Sequence, residues 1–462
     1  MKTILKALSA VALTGVMVLP VLADDTTTTT NTDGTDSKDL KKVIEDQGIN
    51  YVETAQKGIT LSGYVDVSYT EQFGGRGDGF GGTQSQLHEF DRNNNNFNVQ
   101  AVKLALEKAL PDKNELAAGF RIDAILGSDA KFLNDAEFGS TSLALEQALV
   151  KFRIPVGNGL DIYAGKFVTF LGYEVIESPA NPNFSRGLLF TNLIPLTHTG
   201  VYADYKFNDT LEAKFGVVDG WNNSVSDPAP GGTTDAQNDY PFGGKAITGQ
   251  LNINAPGKNA NITQSFIYTP GGDFINNAQE NGAVFVYDIW GNWSPTFVKD
   301  SALTLGFNLD FGYNGEDGTP ASFQTTDGSP GPAVATIPGA HVSGSETWWG
   351  GALYAQYKVS SLLSLEARGE YIHSSSAFNP LFGATGLTDS LGNAVATPSQ
   401  DDWSETLTAT FSIWDNLLTR AEYRADVLSA GSGLTHNTTT GQTVLTGNTI
   451  QNEVSLEAVY SF

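Results

Sequence analysis

Charged residues of opposite sign alternate along several stretches of the chain. Glu366, Arg368 and Glu370 form one such row, and residues 420–424 carry the order Arg-x-Glu-x-Arg. If these stretches are β-strands, each row lies on one face of a sheet, because alternate residues of a strand point the same way. Fixed charges of this kind sort ions and polar solutes electrostatically and make no covalent bond. The rows therefore indicate selective passage or binding.

Residue types that usually perform catalysis are scarce. The chain has no cysteine, which excludes disulfides, cysteine nucleophiles and thiolate-bound metals. Its five histidines show none of the spacings typical of zinc sites, so we expect no metal site and no cofactor. His373 precedes three serines, but neighbours on a strand point to opposite faces, which argues against a Ser/His pair. We expect no catalytic residues and no enzymatic activity.

The overall charge restricts the partners. The chain has 51 acidic and 26 basic residues, a net charge of −25. A nucleic-acid binder needs a basic surface to neutralise phosphates, so nucleic acid is excluded as a partner.

The chain divides into three parts. Residues 1–23 combine a positive start, an apolar stretch and Val21-Leu22-Ala23, the pattern of a signal peptide. Residues 24–58 begin with a threonine run and are polar and of low complexity, which predicts a periplasmic tether. From residue 59 to 462 the apolar residues recur with a period of two, which is typical of strands.

The period-two pattern predicts sixteen strands, within a range of 14 to 18. Most run to about ten residues or more, the length that a tilted strand needs to cross a bilayer. The predicted strands cover residues 59–72, 95–108, 114–126, 141–154, 159–170, 196–207, 210–220, 244–255, 260–270, 282–293, 301–313, 346–359, 361–374, 403–413, 416–428 and 450–462.

Loop lengths discriminate between architectures. The connections alternate strictly between short turns, such as Asn208-Asp209, and long loops, such as residues 314–345. An up-and-down transmembrane barrel produces this alternation, because one membrane face carries tight periplasmic turns and the other carries external loops. The sequence therefore predicts an all-β fold, an antiparallel transmembrane barrel in the bacterial outer membrane.

Aromatic residues near the strand ends fit this architecture, because amphipathic rings favour the level of the lipid headgroups. The terminal strand ends at Tyr460 and Phe462, an ending that resembles the signal read by the barrel-assembly machinery. The predicted girdle comprises Tyr69, Phe73, Phe170, Phe207, Trp221, Trp290, Trp293, Tyr313, Trp348, Trp349, Trp403 and Trp414.

Several motifs resemble the OmpL-like β-barrel porin 2 family. They are Ser62-Gly63-Tyr64-Val65-Asp66, Gly165-Lys166-Phe167, residues 172–178, Asn183-Phe184-Ser185-Arg186, His198-Thr199-Gly200 and Gly220-Trp221-Asn222. The resemblance covers residues 59–462 and implies an outer-membrane diffusion pore, with no particular solute. The family pattern has tyrosine and aspartate where this chain has Phe184 and Asn222.

Lumen-lining residues follow from strand parity. A barrel of about sixteen strands leaves an aqueous lumen, whose charges set selectivity. Walls of opposite sign would create a transverse field, whereas cross-strand ion pairs would stiffen the wall. The candidates are Arg121, Asp123, Asp204, Lys206, Glu366, Arg368, Glu370, Arg420, Glu422 and Arg424.

The loop near residues 171–195 is the candidate constriction. It carries Glu174, Glu177 and Arg186 beside the apolar run Leu188-Leu189-Phe190. An apolar run in an external loop is best explained if the loop folds against the inner wall of the barrel. We therefore expect this loop inside the lumen.

Two functions remain open at this stage. The first is a passive channel for small hydrophilic solutes or ions, with a mild cation preference expected from the net charge. The alternative is a surface-binding or structural barrel with a plugged lumen and ligand-contacting external loops. Outer-membrane lipid is an expected partner in both cases, and homo-oligomers are left open.

Overall fold

A computed structural model shows how the chain folds. It describes residues 58–74, 88, 90, 91, 93, 95–111, 113–133, 142–220, 245–270, 273–275, 278–280, 283–298, 302–314, 346–374, 395, 396, 400–428, 433–437, 442–446 and 449–462. The predicted signal peptide and nearly all of the predicted tether, together with Trp221 and Asn222, lie outside these residues.

Twenty-one strands are present in the described residues. They are β1 (Ile59–Gly74), β2 (Asn96–Lys108), β3 (Ala117–Leu126), β4 (Leu143–Ile154), β5 (Leu160–Val168), β6 (Thr197–Lys206), β7 (Leu211–Val218), β8 (Ala246–Asn254), β9 (Ala260–Thr269), β10 (Asp273–Ile275), β11 (Ala278–Glu280), β12 (Val284–Trp293), β13 (Leu303–Asn314), β14 (Glu346–Lys358), β15 (Leu363–Ser374), β16 (Val395–Ala396), β17 (Gln400–Trp414), β18 (Leu417–Leu428), β19 (Gly433–Asn437), β20 (Gln442–Thr446) and β21 (Thr449–Ser461).

Sixteen of these strands form one closed antiparallel barrel. Each barrel strand pairs with the next one along the chain, and β21 pairs with β1 to close the ring, with Tyr64 opposite Ser461. Closure leaves no strand edge unpaired, which a bilayer requires because hydrocarbon offers backbone groups no hydrogen bonds. The other five strands form a two-stranded sheet and a three-stranded sheet outside the barrel.

The prediction of sixteen strands is confirmed. Every predicted range overlaps one barrel strand, and the largest difference is at β17, which extends from 400 to 414 instead of 403 to 413. The five short strands outside the barrel were not predicted, because strands of two to five residues are too short to show a period. Long and short connections alternate as expected.

The two faces of the barrel differ in polarity. Alternate strand residues are exposed and apolar, as at Leu61, Val65 and Val67, whereas the neighbouring Asp66 and Ser68 are buried. An exposed apolar outer face suits contact with lipid. No helix in the described residues is long and apolar enough to span a membrane.

The predicted aromatic girdle is partly wrong. Aromatic residues that face outward near the strand ends include Phe73, Phe207, Trp293, Tyr313, Trp349, Trp403 and Trp414. In contrast, Phe170, Trp290 and Trp348 are buried. The position of an aromatic residue near a strand end does not tell on which face it lies, because that depends on parity and on what fills the interior.

Within the described part of the long connections there are three short helical turns. Helix α1 (Ser128–Phe132) follows β3. A 3₁₀ turn (Ser178–Ala180) and helix α2 (Leu188–Asn192) both lie between β5 and β6. Residues 169–196, which join β5 to β6, are called the lumen segment below.

Candidate functional site

The lumen segment crosses the interior of the barrel. It leaves the wall after β5, contacts inward-facing side chains of β15, β17 and β18, and returns to β6. In a ring of sixteen strands, β15 and β17 lie opposite the β5–β6 pair. Nearly all of its residues are buried or half-buried, and Ala180 is the exception. The segment therefore spans the barrel at its full width.

Hydrogen bonds with uncharged side chains of the wall hold the start of the lumen segment. The carbonyl of Phe170 accepts hydrogen bonds from Gln250 Nε2 at 2.8 Å and from Ser265 Oγ at 2.7 Å. The backbone N–H of Tyr173 donates to Asn308 Oδ1 at 2.9 Å. The Tyr173 ring stacks on Tyr354 with 4.0 Å between ring centroids. Side chains of β8, β9, β13 and β14 thus orient the start of the segment.

Glu174 is held by a buried guanidinium. Its Oε1 accepts a hydrogen bond from Arg368 Nη1 at 2.7 Å, and the backbone N–H of Gly187 donates to its Oε2 at 2.5 Å. Arg368 also contacts Glu370 at 2.7 Å, and these three side chains are fully buried. Burial raises the pKa of Glu174 above its ordinary value, although Arg368 opposes the shift.

A side chain at position 187 would displace the two carboxylates that bind the segment there. A Cβ there would lie 2.3 Å from Glu370 Oε2 and 2.9 Å from Glu174 Oε2. Both carboxylates approach the backbone at this point, and Glu370 also accepts the N–H of Leu189 at 3.3 Å. The absence of a side chain at Gly187 lets the two acids bind the segment closely.

Glu177 forms part of a second charged cluster. Its carboxylate contacts Lys103 Nζ, which also lies 2.6 Å from Glu146 and 3.2 Å from Asp123. Burial alone would raise the pKa of Glu177, but the Lys103 ammonium holds it below its ordinary value. The Glu177 side chain is 15% exposed, so it is the most accessible of the three predicted constriction residues.

The centre of the segment rests on β18. Arg420 donates to the carbonyl of Ser178 at 3.1 Å and to that of Asn181 at 2.5 Å, and it pairs with Glu457 at 3.0 Å. These bonds satisfy carbonyls of the 3₁₀ turn and the residues that follow it, which would be costly to bury unpaired.

Glu422 binds the backbone of the segment directly. The N–H groups of Phe184 and Ser185 donate to its two carboxylate oxygens at 2.7 and 2.9 Å. The Thr408 hydroxyl donates to it at 2.7 Å, and Asn183 donates to Thr408. Phe184 itself is buried and supports the segment through its backbone.

Arg186 points into the segment and not into open water. It is 1% exposed, donates to the carbonyl of Phe184 at 2.8 Å, and lies 3.7 Å from Asp129. Its guanidinium lies 4.5 Å from the centre of the Phe90 ring, a cation–π contact. The guanidinium of Arg186 is therefore directed at the segment itself and at α1.

The segment returns to β6 through an apolar patch. Leu188, Leu189 and Leu193 are buried, and the indole N–H of Trp348 donates to the carbonyl of Leu193 at 3.2 Å. The apolar run in this loop therefore packs against the inner wall, as the sequence suggested.

The predicted lumen-lining residues form charge pairs both within strands and across them. Arg121 binds Asp123 of its own strand at 2.7 Å and Glu107 of β2 at 3.3 Å, and Asp204 lies opposite Lys214 on the next strand. Acidic and basic residues alternate on the same wall, so the described residues do not form two opposed walls of single charge. Glu366 accepts its hydrogen bonds from the hydroxyls of Ser364 on β15 and Thr410 on β17, which belong to the wall and not to the segment.

Lys206 differs from the others. It lies at the end of β6, its side chain is 58% exposed, and it pairs with Asp209 of the adjoining turn at 3.1 Å. It therefore lies at the rim of the barrel and does not line the interior.

Several residues at the site were not identified from the sequence. Lys103 and Glu457 follow the same inward parity as the predicted residues and could have been found by extending that parity to β2 and β21. His88 and Asp91 could not, because they belong to a long connection without a period. Two clusters of potential metal ligands occur here. The acidic residues around Lys103 already surround a cation, the Lys103 ammonium, whereas among the described residues His88, Asp91 and Glu453 converge without a lysine between them.

The edge of the segment nearest to open space is largely apolar. Buried positions dominate from 183 to 190, but positions 173–182 alternate between buried and more exposed residues. The more accessible ones are Tyr173, Val175, Glu177, Pro179, Ala180 and Pro182.

Comparison with known proteins agrees with this architecture. Residues 58–462 match the family model described as "Putative beta-barrel porin-2, OmpL-like". None of the curated proteins matches the chain.

Solved structures with a similar fold are outer-membrane proteins at low sequence identity. OprB of Pseudomonas putida aligns with a TM-score of 0.52 and 12% identity over 90% of this chain and 97% of its own. The channel DcaP of Acinetobacter baumannii gives 0.50 and 11%, over 87% and 97%. An anion-selective porin from Comamonas acidovorans gives 0.50 and 11%, over 87% and 99%. At this identity the likeness concerns the fold.

Proposed function

We propose that the lumen segment is the constriction of this protein, which belongs to the OmpL-like β-barrel porin 2 family and is a channel of the bacterial outer membrane. A sixteen-stranded barrel without an inserted segment leaves a wide aqueous lumen. The contacts of residues 169–196 with strands on the opposite wall carry the proposal, because a segment held at both walls narrows the space between them. Small hydrophilic solutes or ions then pass along its accessible edge.

The three candidate constriction residues have different roles in this proposal. Glu174 and Arg186 hold the segment in place, since both are buried and paired. Glu177 is accessible and lies beside the apolar residues Val175 and Pro179 at the edge. We propose that the negative charge of Glu177 gives the channel a weak preference for cations, in keeping with the net negative charge of the chain.

The remaining assignments concern partners and processing. The exposed apolar outer face contacts outer-membrane lipid. We also propose that residues 1–23 direct export and that residues 24–58 form a tether. Tyr460 and Phe462 engage the barrel-assembly machinery in this proposal, and the protein acts without enzymatic activity. Homo-oligomers are compatible with the barrel.

Single cysteines test the constriction, because the chain contains none of its own. Ala180→Cys places a thiol on the exposed point of the segment, and Ser360→Cys places one in the exposed turn after β14. We expect a bulky thiol reagent to lower the single-channel conductance of Ala180→Cys in planar bilayers. The same labelling of Ser360→Cys should leave conductance unchanged.

Two results would contradict the proposal. Equal conductance of labelled and unlabelled Ala180→Cys would place the pathway away from the segment. Absence of conductance in the wild-type protein would favour the alternative of a plugged barrel that binds ligands through its external loops. Glu177→Gln should reduce cation preference in a salt-gradient reversal potential, with Glu366→Gln as the control that lies off the segment.

A further inference from the structure

A buried cluster joins the connection between β1 and β2 to the wall of the barrel. His88 and Asp91 come from that connection, Asp426 from β18 and Glu453 from β21. His88 Nδ1 lies 3.0 Å from Asp91 Oδ2 and 3.6 Å from Glu453 Oε2. His88 Nε2 lies 2.7 Å from Asp426 Oδ2. The side chains of all four residues are at most 2% exposed.

The unusual feature of this cluster is the environment of the His88 Nδ1 atom. It makes no hydrogen bond to any residue that the structure describes, although two carboxylate oxygens surround it. The oxygen of Asp91 is close enough for a hydrogen bond but lies off the direction in which an N–H at Nδ1 would point. A proton at Nδ1 would therefore face Asp91 as an ion pair but would make no aligned hydrogen bond.

We propose that His88, Asp91 and Glu453 bind one divalent metal ion of the zinc type. One ligand atom from each lies within 4.8 Å of the other two. Tetrahedral zinc with nitrogen and oxygen ligands at about 2.0–2.2 Å has ligand atoms about 3.3 Å apart. The distances from His88 Nδ1 to the oxygens of Asp91 and Glu453, 3.0 and 3.6 Å, bracket this value. In such a site the nitrogen lone pair points at the metal ion, so each oxygen lies off the axis of that lone pair.

The surroundings have the features of a metal site. A metal-bound histidine usually donates its other N–H to a carboxylate, which fixes the ring, and Asp426 occupies that position. The Glu453 carboxylate is itself oriented by Gln72 at 3.2 Å and Ser455 at 3.0 Å.

Charge also favours a dication. Arg424 lies 3.5 Å from Asp91 and 3.0 Å from Asp426. One dication and the Arg424 guanidinium balance the carboxylates of Asp91, Asp426 and Glu453 around a neutral histidine. With a proton at Nδ1 in place of the ion, the cluster keeps a net negative charge in a buried position, which is unfavourable.

The ion would fasten the connection after β1 to strands β18 and β21. The same Arg424 donates to the carbonyl of Arg186 at 3.0 Å, so the cluster adjoins the lumen segment. The site could not be predicted from the sequence, because Glu453 lies more than 300 positions after His88 and Asp91 and only the closed barrel brings it to them.

Zinc titration of the purified, chelator-treated protein tests the proposal. We expect the wild type to bind Zn²⁺ and His88→Asn to bind it at least 100-fold more weakly. Asp426→Asn should weaken binding by about 10- to 100-fold, as expected for a residue that orients a ligand. His373→Asn is the matched control, since His373 also contacts an aspartate, at 2.9 Å, but is partly exposed on β15.

Co²⁺ provides a readout that needs no variant. In the wild type it should give the intense visible absorption of a four-coordinate ion, and excess Zn²⁺ should remove it. Heat-modifiable migration in gels verifies that each variant is folded, and Glu453→Gln replaces His88→Asn if the latter does not fold. Equal zinc affinity in folded His88→Asn or Glu453→Gln and wild type, or absence of zinc binding in the wild type, would overturn the proposal.

Discussion

Two arcs of the inner wall hold the same segment by different means. The charged arc, the inner faces of β15, β17, β18, β21 and β1–β7, contacts it through Arg368, Arg420 and Glu422. The neutral arc, the inner faces of β8, β9 and β12–β14, contacts it through amides, hydroxyls and aromatic rings. Away from the strand ends, the described residues that face inward from these five strands include only two with an acidic or basic side chain, Asp288 and Asp310.

The difference matters because buried charges and neutral groups respond differently to loss of a partner. Removing one member of a buried ion pair leaves an uncompensated charge and costs about 3–5 kcal/mol. Removing one neutral hydrogen bond costs about 0.5–1.5 kcal/mol. The segment is therefore held rigidly at the far wall and more loosely near its start at β5.

Arg368→Met should have the largest effect. It leaves the carboxylates of Glu174 and Glu370 buried without their guanidinium, so we expect a stability loss of about 3–5 kcal/mol. The released segment should widen the channel. Single-channel conductance and the midpoint of heat-modifiable unfolding measure the two effects, and we expect conductance to rise.

Arg153→Met is the matched control for that variant. Arg153 binds Asp161 at 2.6 Å across β4 and β5 and donates to the carbonyl of Pro111 in the turn after β2, and its side chain is 18% exposed. It should lower stability less and leave conductance unchanged. If both variants changed conductance equally, the bonds of Arg368 to the segment would have no special effect on the channel.

Asp129→Asn tests the charge balance beside Arg186. Burial raises the pKa of Asp129 to about 7, although Arg186 at 3.7 Å opposes the shift. The folded protein thus binds more protons than the unfolded chain between about pH 4 and pH 7, so this residue lowers stability as pH rises through that window.

The variant should remove this pH dependence. Arg186 keeps its bond to the Phe184 carbonyl, and at 3.7 Å its pair with Asp129 is too long for a hydrogen bond, so relief from burying an ionised carboxylate outweighs the lost pair. Above pH 7 the variant should therefore be more stable than the wild type by up to about 4 kcal/mol, and near pH 4 the two should be alike. Unfolding midpoints across this range measure the difference. Asp209→Asn, in an exposed turn, is the control and should leave the profile close to that of the wild type; a flat wild-type profile would refute the assignment.

The strands and the position of the segment could be predicted from the sequence, because both depend on local patterns. Period two determines strand parity, and an apolar run in a long loop needs a surface to cover it. The pairing of the segment could not be predicted. Glu174 is 194 positions away from Arg368, and only barrel closure brings them together.

The roles of the candidate residues were harder to infer than their locations. Arg186 lies in the segment as expected, yet its guanidinium is turned back onto the carbonyl of Phe184. Burial of this kind depends on backbone direction within an irregular loop, which no residue period reveals. For Lys206, strand parity gives the face of the sheet but not the height in the barrel. Lys206 is the last residue of β6 and therefore lies at the rim.

Glu422→Gln should have a moderate effect on the charged arc. The carboxylate accepts the N–H groups of Phe184 and Ser185, and an amide can accept only one of them and turns a donor toward the other. We expect a loss of about 2 kcal/mol and noisier open-channel current. Glu366→Gln, which loses bonds only to hydroxyls of the wall, should leave the current steady; matching noise in both would contradict a direct role for Glu422.

Ser265→Ala should have the smallest effect, because the neutral arc is redundant where the segment begins. The Phe170 carbonyl loses one donor but keeps Gln250 Nε2 at 2.8 Å, so it is not left unsatisfied. We expect a loss below about 1 kcal/mol and unchanged conductance. Ser265→Ala combined with Gln250→Leu removes both donors and should exceed the sum of the single changes, because only then is the buried carbonyl unpaired. A single change as costly as Arg368→Met would mean that both arcs hold the segment equally.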